Sequence, residues 1–404
     1  MARHISVSDY TYALPEERIA RHPLSDRASS KLLCYRNGQI TDHIFRELPD
    51  ILSSDTTLIF NTTKVVCARL LFPVDARTKR VEIFVLEPTG VTTMEQAMAQ
   101  KGEATWKCLV GHKKCFVQNT LRMDIVWQGV SGFVEVHKPV ASGDSFLVHF
   151  TWSPQWTFSE MLDAAGQIPL PPYMKRDADE EDAIRYQTIY AKEEGSVAAP
   201  TAGLHFTEAV IDALKSNDVH IAEVALHVGA GTFRPVKSAT MQGHEMHAEE
   251  IAVSRYTVEA LIAHPDTIIA VGTTSLRTLE SLFWIGLKWH LRPDGAVPEV
   301  LQWDAYDIPV PEHFYYREAL QVILDRMQAN GMQVLTTKTQ LLIAPGYTIR
   351  SIKALITNFH QPDSTLLLLV ATCIGDDWRK VYAHALMHEY RFLSYGDSSL
   401  LWLV

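Results

Sequence analysis

The sequence predicts an α/β protein with a layered α/β major domain, whose sheet is mainly parallel, and a smaller inserted β-barrel domain. Two observations predict this class. After residue 150, strand-like runs alternate with helix-like runs, as in βαβ units. Between about 56 and 150, short β-branched and aromatic runs follow one another at near-regular spacing, as in a small barrel or sandwich.

The first elements precede the barrel region. The segment LPEERIARHP places Pro15 before two glutamates, which suits the start of a helical turn. The runs LLCYR and QITDHIF flank Asn37 and Gly38, a pair that favours a type I′ hairpin turn. RVEIFVLEP, TWKCLVGHKKCFV and TLRMDIVW then supply strands of the predicted barrel.

Strands and helices alternate through the second half. TEAVIDALKSND is a predicted helix that leads into the strand VHIAEVALHVG, and SRYTVEALIAHP leads in the same way into TIIAVG. SLRTLESLFW follows as a helix, and ALITNFHQPDSTLLLLVATCIG repeats strand, polar turn and helix. Sheets of this kind bind ligands beyond the carboxyl ends of their strands. The polar turns at those ends are therefore the first places to search for function.

Composition narrows the class of protein. The chain has 404 residues, of which 47% are hydrophobic and 21% charged, as in a folded globular protein of two to three domains. Its net charge of −10 argues against a surface coated with nucleic-acid-binding cations. The charge is uneven: residues 1–150 carry 18 Lys+Arg and 16 Asp+Glu, which leaves 19 and 31 for residues 151–404. A polyanion would meet least repulsion at the front of the chain.

Cellular location follows from the cysteines and from the N-terminus. Five scattered cysteines without a CxxC pair suit a reducing compartment. The polar start MARHISVSDYTYAL lacks the apolar core of a signal peptide, and no apolar run is long enough to span a bilayer. A cytoplasmic protein is expected.

Two polar turns carry candidate binding residues. In IIAVGTTSLRTLES, Thr273, Thr274 and Ser275 lie where a buried strand meets a helix, with Arg277 in the first turn. Backbone N–H groups and the helix dipole there suit a carboxylate or another anion, although simple helix capping explains the same residues. In ALITNFHQPDSTLLLL, Asn358 and His360 follow a strand in the same way.

Two further segments join histidine to small residues. AAPTAGLHF contains Gly203 and His205. LHVGAGTF contains His227, Gly229 and Gly231. Glycine permits close approach of the backbone to a ligand, and histidine can move a proton near neutral pH. The G-x-G alone does not indicate a dinucleotide site.

Two further groups of residues are typical of a metal site and of a phosphate-binding patch. In HEMHAEE, the spacing of His244, His247 and Glu250 would place them on one helix face, as in a metal site, although hydrogen bonding or substrate contact is favoured. Basic residues that could follow a phosphate backbone, or simply solvate a β surface, are clustered in the barrel region. They are Arg69, Arg77, Lys79, Arg80, Lys113, Lys114 and Arg122.

Several segments in consistent order resemble the S-adenosylmethionine:tRNA ribosyltransferase-isomerases of queuosine biosynthesis, over nearly the whole chain. They include IFNTTKVVCARL, IPLPPYMKR, SVAAPTAGLHFTEAV, LHVGAGTFRPV, HEMHAE, AVGTTSLRTLES, LITNFHQPDSTLLLLV and YRFLSYGD. The resemblance implies an α/β domain with an inserted β-barrel. We therefore expect the α/β domain over residues 1–65 and 151–404, and the barrel domain over 66–150. It also implies transfer of the ribosyl part of S-adenosylmethionine to a 7-aminomethyl-7-deazaguanine base in the tRNA anticodon loop, giving epoxyqueuosine, adenine and methionine.

The resemblance implies roles for the candidate residues. His205, His227 and His360 are the acid/base candidates, because the reaction needs a general base and a proton donor for adenine. Thr273, Thr274, Ser275 and Arg277 would hold the methionine carboxylate, and Gly203, Gly229, Gly231 and Asn358 would contact the substrate. Asn61, Arg69, Lys79, Arg80, Lys113 and Lys114 would contact tRNA. S-adenosylmethionine serves as co-substrate, no metal is expected, and a monomer is expected.

Departures from the family pattern leave alternatives open. This chain reads NTTKV where the family usually reads close to NDTRV, with Thr62 and Lys64 in place of Asp and Arg. One alternative is a tRNA-binding paralogue of the same fold without catalysis. Another is a metal-dependent hydrolase that uses His244, His247 and Glu250.

Overall fold

A computed structural model describes residues 2–74, 80–91, 93–116, 119–229 and 238–404. The strands, in chain order, are β1 Lys31–Arg36, β2 Gln39–Ile44, β3 Thr57–Asn61, β4 Thr63–Val65, β5 Arg69–Pro73, β6 Arg80–Pro88, β7 Glu103–Gly111, β8 Thr120–Trp127, β9 Val130–His137, β10 Val140–Ser142, β11 Ser145–Trp152, β12 Gly166–Gln167, β13 Glu193–Ser196, β14 His220–Leu226, β15 Glu249–Ser254, β16 Ile268–Val271, β17 Val334–Thr339, β18 Ala354–Asn358 and β19 Ser398–Trp402.

The α-helices lie mostly after the predicted barrel region. They are α1 Leu48–Ile51, α2 Met94–Met98, α3 Phe158–Ala165, α4 Asp182–Arg185, α5 Glu208–Ser216, α6 Arg255–Ala263, α7 Thr273–Leu291, α8 Asp304–Asp307, α9 Tyr316–Ala329, α10 Thr365–Ile374 and α11 Trp378–Met387. In the part of the chain that the structure describes, no helix is both long and apolar enough to cross a membrane.

The larger sheet is mixed, which corrects the expectation of a mainly parallel one. Its strand order is β17-β15-β14-β3-β16-β18-β19-β1-β2. The central strands β14, β3, β16 and β18 are parallel, and β1 is parallel to β19. The pairs β15–β17, β14–β15, β18–β19 and β1–β2 are antiparallel. Alternation of strands and helices predicted the parallel centre, but it carries no information on the direction of the outer strands.

The hairpin β1–β2 confirms the predicted turn. Asn37 and Gly38 both have positive φ, 50° and 78°, as a type I′ turn requires. Arg36 pairs with Gln39, so the loop has two residues, and β2 forms one edge of the sheet.

The larger sheet is buried on both faces. Along β3, Ile59 contributes to one apolar cluster, and Leu58 and Phe60 contribute to another, as the alternation of side chains along a strand requires. Helix α7 belongs to the first cluster and is buried along most of its length. Parallel strands covered on both faces are rich in apolar residues, which explains the runs TLIF and IIAV.

The second sheet forms a half-barrel, in the region where the sequence predicts a small β-barrel. Its order is β12-β5-β6-β7-β11-β9-β8, with β10 paired to β11, and its neighbours are antiparallel. Among the described residues, no pairing joins the end strands β8 and β12. The sheet encloses its own apolar cluster, in which the rings of Trp106 and Phe158 stack with centroids 4.6 Å apart. Short alternating runs predict such strands, but closure depends on contacts that are distant in sequence.

Candidate functional site

A cleft lies at the carboxyl ends of β16 and β18, where the sequence predicted a ligand site. Five of the predicted binding or catalytic residues line it: Thr273, Thr274, Arg277, Asn358 and His360. Open α/β sheets bind ligands at this edge because helix N-termini and strand-end loops converge there. The parallel pairing of β16 with β18 brings the two predicted polar turns together.

The turn from β16 to α7 places Thr273 and Thr274 in the lining of the cleft. Gly272 has φ of 91°, a conformation that strains other residues, and its N–H donates to the Ile356 carbonyl over 2.8 Å. The buried Thr274 Oγ1 has no hydrogen-bond partner among the described residues. Ser275 lies outside the cleft, and its hydroxyl donates to the Val271 carbonyl over 2.8 Å. Thr274, not Ser275, is therefore placed to contact a ligand.

Arg277 already has a carboxylate partner within the protein. Its Nη1 lies 2.6 Å from Glu249 Oε2, and the two side chains are 10% and 4% exposed. Glu249 Oε1 also accepts from the Gly229 N–H over 3.3 Å. Both Arg277 and Glu249 line the cleft, so a ligand meets a nearly neutral ion pair instead of an isolated cation.

Asn358 joins the cleft to His205, which lies behind it. Asn358 Oδ1 accepts from Thr201 Oγ1 over 2.7 Å, and its Nδ2 donates to His205 Nε2 over 3.3 Å. His205 Nδ1 must then carry the proton, which it donates to Ser30 Oγ over 2.8 Å. Burial, with the nearby charges of Arg391 and Arg27, lowers the pKa of His205 to about 3. His205 is a neutral structural link that fixes the Asn358 amide, rather than a group exposed to a ligand.

His360 is the acid/base candidate that borders the cleft. Its Nε2 lies 3.0 Å from Thr357 Oγ1, and its backbone N–H donates to the Tyr382 hydroxyl over 3.0 Å. The His360 carbonyl accepts a short hydrogen bond from the Tyr12 hydroxyl. Burial lowers the pKa of His360 to about 4, so the ring is neutral at pH 7. A neutral imidazole can accept a proton.

Among the described candidates, His227, Gly203 and Gly229 do not line the cleft. His227 follows β14, and its buried Nδ1 has no hydrogen-bond partner within the described ranges. Burial lowers its pKa to about 4. At Gly203, a Cβ would come within 1.9 Å of the Tyr190 hydroxyl, so packing accounts for this glycine. Gly229 binds Glu249, and Gly231 lies outside the described residues.

The metal hypothesis for the 244–250 segment is corrected by the local backbone. Residues 244–248 form an irregular stretch, so the three side chains share no helix face. His244 and His247 line the cleft, whereas the Glu250 carboxylate accepts from the Met94 N–H over 3.0 Å. Glu249 and Glu250 are adjacent on β15 and therefore point to opposite sides of the sheet. Burial, then the charges of His247 and Arg277, lower the pKa of His244.

The predicted tRNA contacts divide into buried, paired and exposed residues. Asn61 is fully buried and its amide binds Leu226, which corrects its assignment as a tRNA contact. Arg69 is paired with Glu82 and Asp177. Arg80, Lys113 and Lys114 are exposed on the half-barrel. Lys79 lies outside the described residues, as does Arg77.

The two residues that depart from the family pattern, Thr62 and Lys64, each have a carboxylate partner within the protein. Thr62 Oγ1 donates to Glu193 Oε2 over 3.0 Å, and Lys64 Nζ lies 2.9 Å from Glu194 Oε1. Both contacts join the end of β3 and strand β4 to strand β13. Neither residue borders the cleft, so these departures leave its lining intact.

Sequence reasoning missed several cleft residues, among them Glu249, Thr201 and Ser394. The sequence pattern indicated Glu250 as a candidate ligand, whereas its neighbour Glu249 lines the cleft. Thr201 and Ser394 lie in the quoted segments SVAAPTAGLHF and YRFLSYGD, but neither was singled out. Ser394 Oγ forms a short hydrogen bond with the Tyr173 hydroxyl, which also lines the cleft. Small hydroxyl residues have no spacing signature, so nothing local marked them.

The mixed sheet and the cleft at its parallel centre define an α/β protein with a polar site for a small ligand. The chain belongs to the family described as queuosine biosynthesis protein, whose profile matches residues 7–401.

Similar proteins span the full chain. A relative from Azoarcus sp. is 36% identical over 401 residues, which is 98% of this chain and 97% of the relative. A relative from Xanthomonas oryzae pv. oryzae is 37% identical over 404 residues, covering 98% and 96%. Both are named S-adenosylmethionine:tRNA ribosyltransferase-isomerase. A solved S-adenosylmethionine tRNA ribosyltransferase from Thermotoga maritima is 26% identical, covers 97% of this chain and 99% of its own, and has a TM-score of 0.46.

Proposed function

We propose that this chain is an S-adenosylmethionine:tRNA ribosyltransferase-isomerase. It transfers and isomerises the ribosyl moiety of S-adenosylmethionine onto 7-aminomethyl-7-deazaguanine at the anticodon wobble position of tRNA, and it releases adenine and methionine. Full-length relatives at 36–37% identity carry this name. The observation that carries the proposal is the cleft, where Thr274, Arg277, Asn358 and His360 meet at the carboxyl ends of two parallel strands.

The reaction sets three requirements for the cleft. The sulfonium acidifies the adjacent ribose C–H, so a base must accept that proton. Adenine leaves with the electron pair of its bond to the ribose and must gain a proton. The amine of the tRNA base then forms a bond to the ribose and gives up a proton, and methionine leaves with the electrons of the C–S bond as the epoxide closes. Positioned proton transfer contributes about 10²–10⁴-fold to such steps.

We assign these roles to residues that line the cleft. The N–H groups at the start of α7 and Thr274 Oγ1 hold the methionine carboxylate, because a helix N-terminus attracts an anion. The Glu249 carboxylate balances Arg277 and keeps a negative group near the cationic sulfonium. His360 is the proton-transfer group, and His205 acts through Asn358 as a positioning residue.

The tRNA contacts and the domain division complete the proposal. We assign residues 66 to about 167 to the half-barrel domain and the rest of the chain to the catalytic domain, because each sheet encloses its own apolar cluster. The half-barrel extends beyond the expected boundary at residue 150, since β12 pairs with β5 and Phe158 packs in the half-barrel cluster. Arg80, Lys113 and Lys114, together with Lys79, would contact the tRNA backbone. A cytoplasmic monomer that needs no catalytic metal is part of the same proposal.

The experiment compares two threonines of α7. Thr274→Val removes the cleft hydroxyl while keeping its volume, and we expect S-adenosylmethionine affinity to fall about 10-fold, as for the loss of one hydrogen bond to a charged group. Thr278→Val is the matched control, because Thr278 Oγ1 donates to the Thr274 carbonyl and lies outside the cleft. Affinity is measured by calorimetry, and turnover is measured as adenine release with precursor tRNA.

Each result separates the alternatives. Equal affinity in the two variants would remove Thr274 from the carboxylate site. Binding of tRNA by the wild-type protein without any adenine release would favour the inactive tRNA-binding paralogue over the enzyme.

A further inference from the structure

Three potential metal ligands meet at an edge of the larger sheet, away from the cleft. Asp42 lies on the edge strand β2, His384 lies near the end of α11, and His388 directly follows that helix. One ligand atom from each side chain lies within 4.8 Å of the other two. Asp42 and His384 are 45% and 22% exposed, so an ion from solvent can reach the group.

The helix brings the two histidines together. Residues four apart face the same side of a helix, and the rings of His384 and His388 stack with centroids 3.8 Å apart. His384 Nε2 lies 3.0 Å from both carboxylate oxygens of Asp42. Two imidazoles and one carboxylate thus converge on one point, and zinc sites often use three such ligands with water as the fourth.

Hydrogen bonds to a backbone carbonyl and from a tyrosine hydroxyl orient two of the ligands. His388 Nδ1 lies 2.9 Å from the His384 carbonyl, so this nitrogen carries the proton and Nε2 is left as an electron-pair donor. The Tyr390 hydroxyl donates to Asp42 Oδ1 over 2.5 Å. Such outer contacts set the tautomer and orientation of metal ligands, and their loss weakens metal binding about 10–100-fold.

We propose that Asp42, His384 and His388 bind a divalent transition-metal ion, with Zn²⁺ as the probe. Imidazole nitrogens favour zinc, nickel and copper, whereas Mg²⁺ and Ca²⁺ prefer oxygen ligands. The ion fastens the end of α11 to the edge strand β2.

The consequence for the cleft is structural. The chain runs from His388 through Tyr390 to Leu393 and Ser394, which line the cleft. Holding His388 therefore restrains the segment that forms one wall of the cleft. The ion supplies no chemistry to the reaction, and the inference is independent of the proposed function.

The test is calorimetric titration of Zn²⁺ into the full chain after treatment with a chelator. We expect one equivalent to bind, and we expect His388→Ala and Asp42→Asn each to weaken binding at least 10-fold. Tyr390→Phe, which removes only an outer contact, should weaken it about 10-fold. Zn²⁺ should raise the Tm of the wild type but not that of His388→Ala. Mg²⁺ should leave the Tm of both proteins unchanged.

Two other histidine pairs provide the controls. The rings of His220 and His264 lie 4.7 Å apart, but among the described residues they form no three-ligand group, so His264→Ala should bind Zn²⁺ like the wild type. His247→Ala tests the cleft pair His244 and His247. Wild-type affinity in His388→Ala, or loss of binding in His247→Ala alone, would overturn the proposal. Equal Tm values in chelator would show that the variants fold equally well.

Discussion

Two ion pairs show that charged side chains are buried in the cleft and exposed to solvent on the half-barrel. In the cleft, Arg277 and Glu249 lie 2.6 Å apart with side chains only 10% and 4% exposed. On the half-barrel, Arg122 and Asp124 lie 3.3 Å apart with side chains 54% and 84% exposed. Water screens the second pair and is almost excluded from the first. An arginine–carboxylate pair is therefore part of the internal structure in one region and part of a solvated surface in the other.

Because the two ion pairs differ in exposure, substitutions in the two regions should have different effects. Breaking a buried pair leaves an uncompensated charge in a medium of low polarity, whereas an exposed pair contributes about 0–1 kcal/mol. Substitutions in the cleft should therefore alter folding and chemistry together. Substitutions of exposed cations on the half-barrel should alter only the encounter with a charged partner, because the fold does not depend on them.

The largest effect is expected when the buried pair is broken. Arg277→Met should lower the free energy of unfolding by about 3–5 kcal/mol, because Glu249 remains buried without its partner. Adenine release should fall below detection. Arg122→Met is the matched variant on the half-barrel, and its unfolding free energy should stay within about 0.5 kcal/mol of the wild type. Urea denaturation followed by circular dichroism measures both.

A double variant tests the cause. If the unpaired carboxylate is responsible, Arg277→Met combined with Glu249→Gln should recover part of the lost stability. Similar losses in Arg277→Met and Arg122→Met would abolish the distinction between the two regions.

Much of the fold could be predicted from local pattern, and the remainder depends on contacts between distant residues. The Asn37 and Gly38 turn and the strand before Gly272 were recognisable because turn geometry and apolar runs are local properties. The antiparallel strands β15, β17 and β19 turned a mainly parallel sheet into a mixed one. Their direction is set by neighbours such as β18, whose Asn358 pairs with Ser398. No short window of sequence contains both strands.

The same limit applies to the site. The strand-turn-helix pattern identified Thr274, but it could not tell which of the neighbouring hydroxyls turns inward along the helix, as Ser275 does. Glu249 pairs with a residue 28 positions away. The spacing of His384 and His388 is visible in the sequence, but Asp42 lies 342 positions from His384. Side-chain partners at such separations become apparent only when the sheet is assembled.

A smaller effect is expected for two buried histidines that differ in position but have similarly lowered pKa values. Burial lowers the pKa of both His360 and His227 to about 4, but only His360 borders the cleft. His227 lies against Gly195, next to Met94 of the half-barrel cluster. His360→Gln should lower kcat about 10²-fold through loss of proton transfer, and His227→Gln should change it less than 10-fold. Single-turnover adenine release distinguishes them.

The two histidine variants also test how far the reacting site extends toward the half-barrel. A loss of kcat in His227→Gln equal to that in His360→Gln would extend the reacting site beyond the cleft toward Met94. Unfolding measurements on both variants serve as the control, since neither ring takes part in an ion pair at its described contacts.

The smallest effect is expected on the half-barrel surface. Arg80→Ala, Lys113→Ala and Lys114→Ala combined should raise the KM for tRNA while kcat at saturating tRNA and the unfolding free energy stay at wild-type values. Each lost phosphate contact should reduce the slope of log affinity against log salt by about 0.7–0.9, so three contacts give a reduction of about 2.1–2.7. Lys107→Ala is the control, because Lys107 is already paired with Glu87 over 3.2 Å. An unchanged affinity and salt slope in the triple variant would mean that tRNA docks on another face. The exposed cations of the half-barrel would then have no part in the reaction of the cleft.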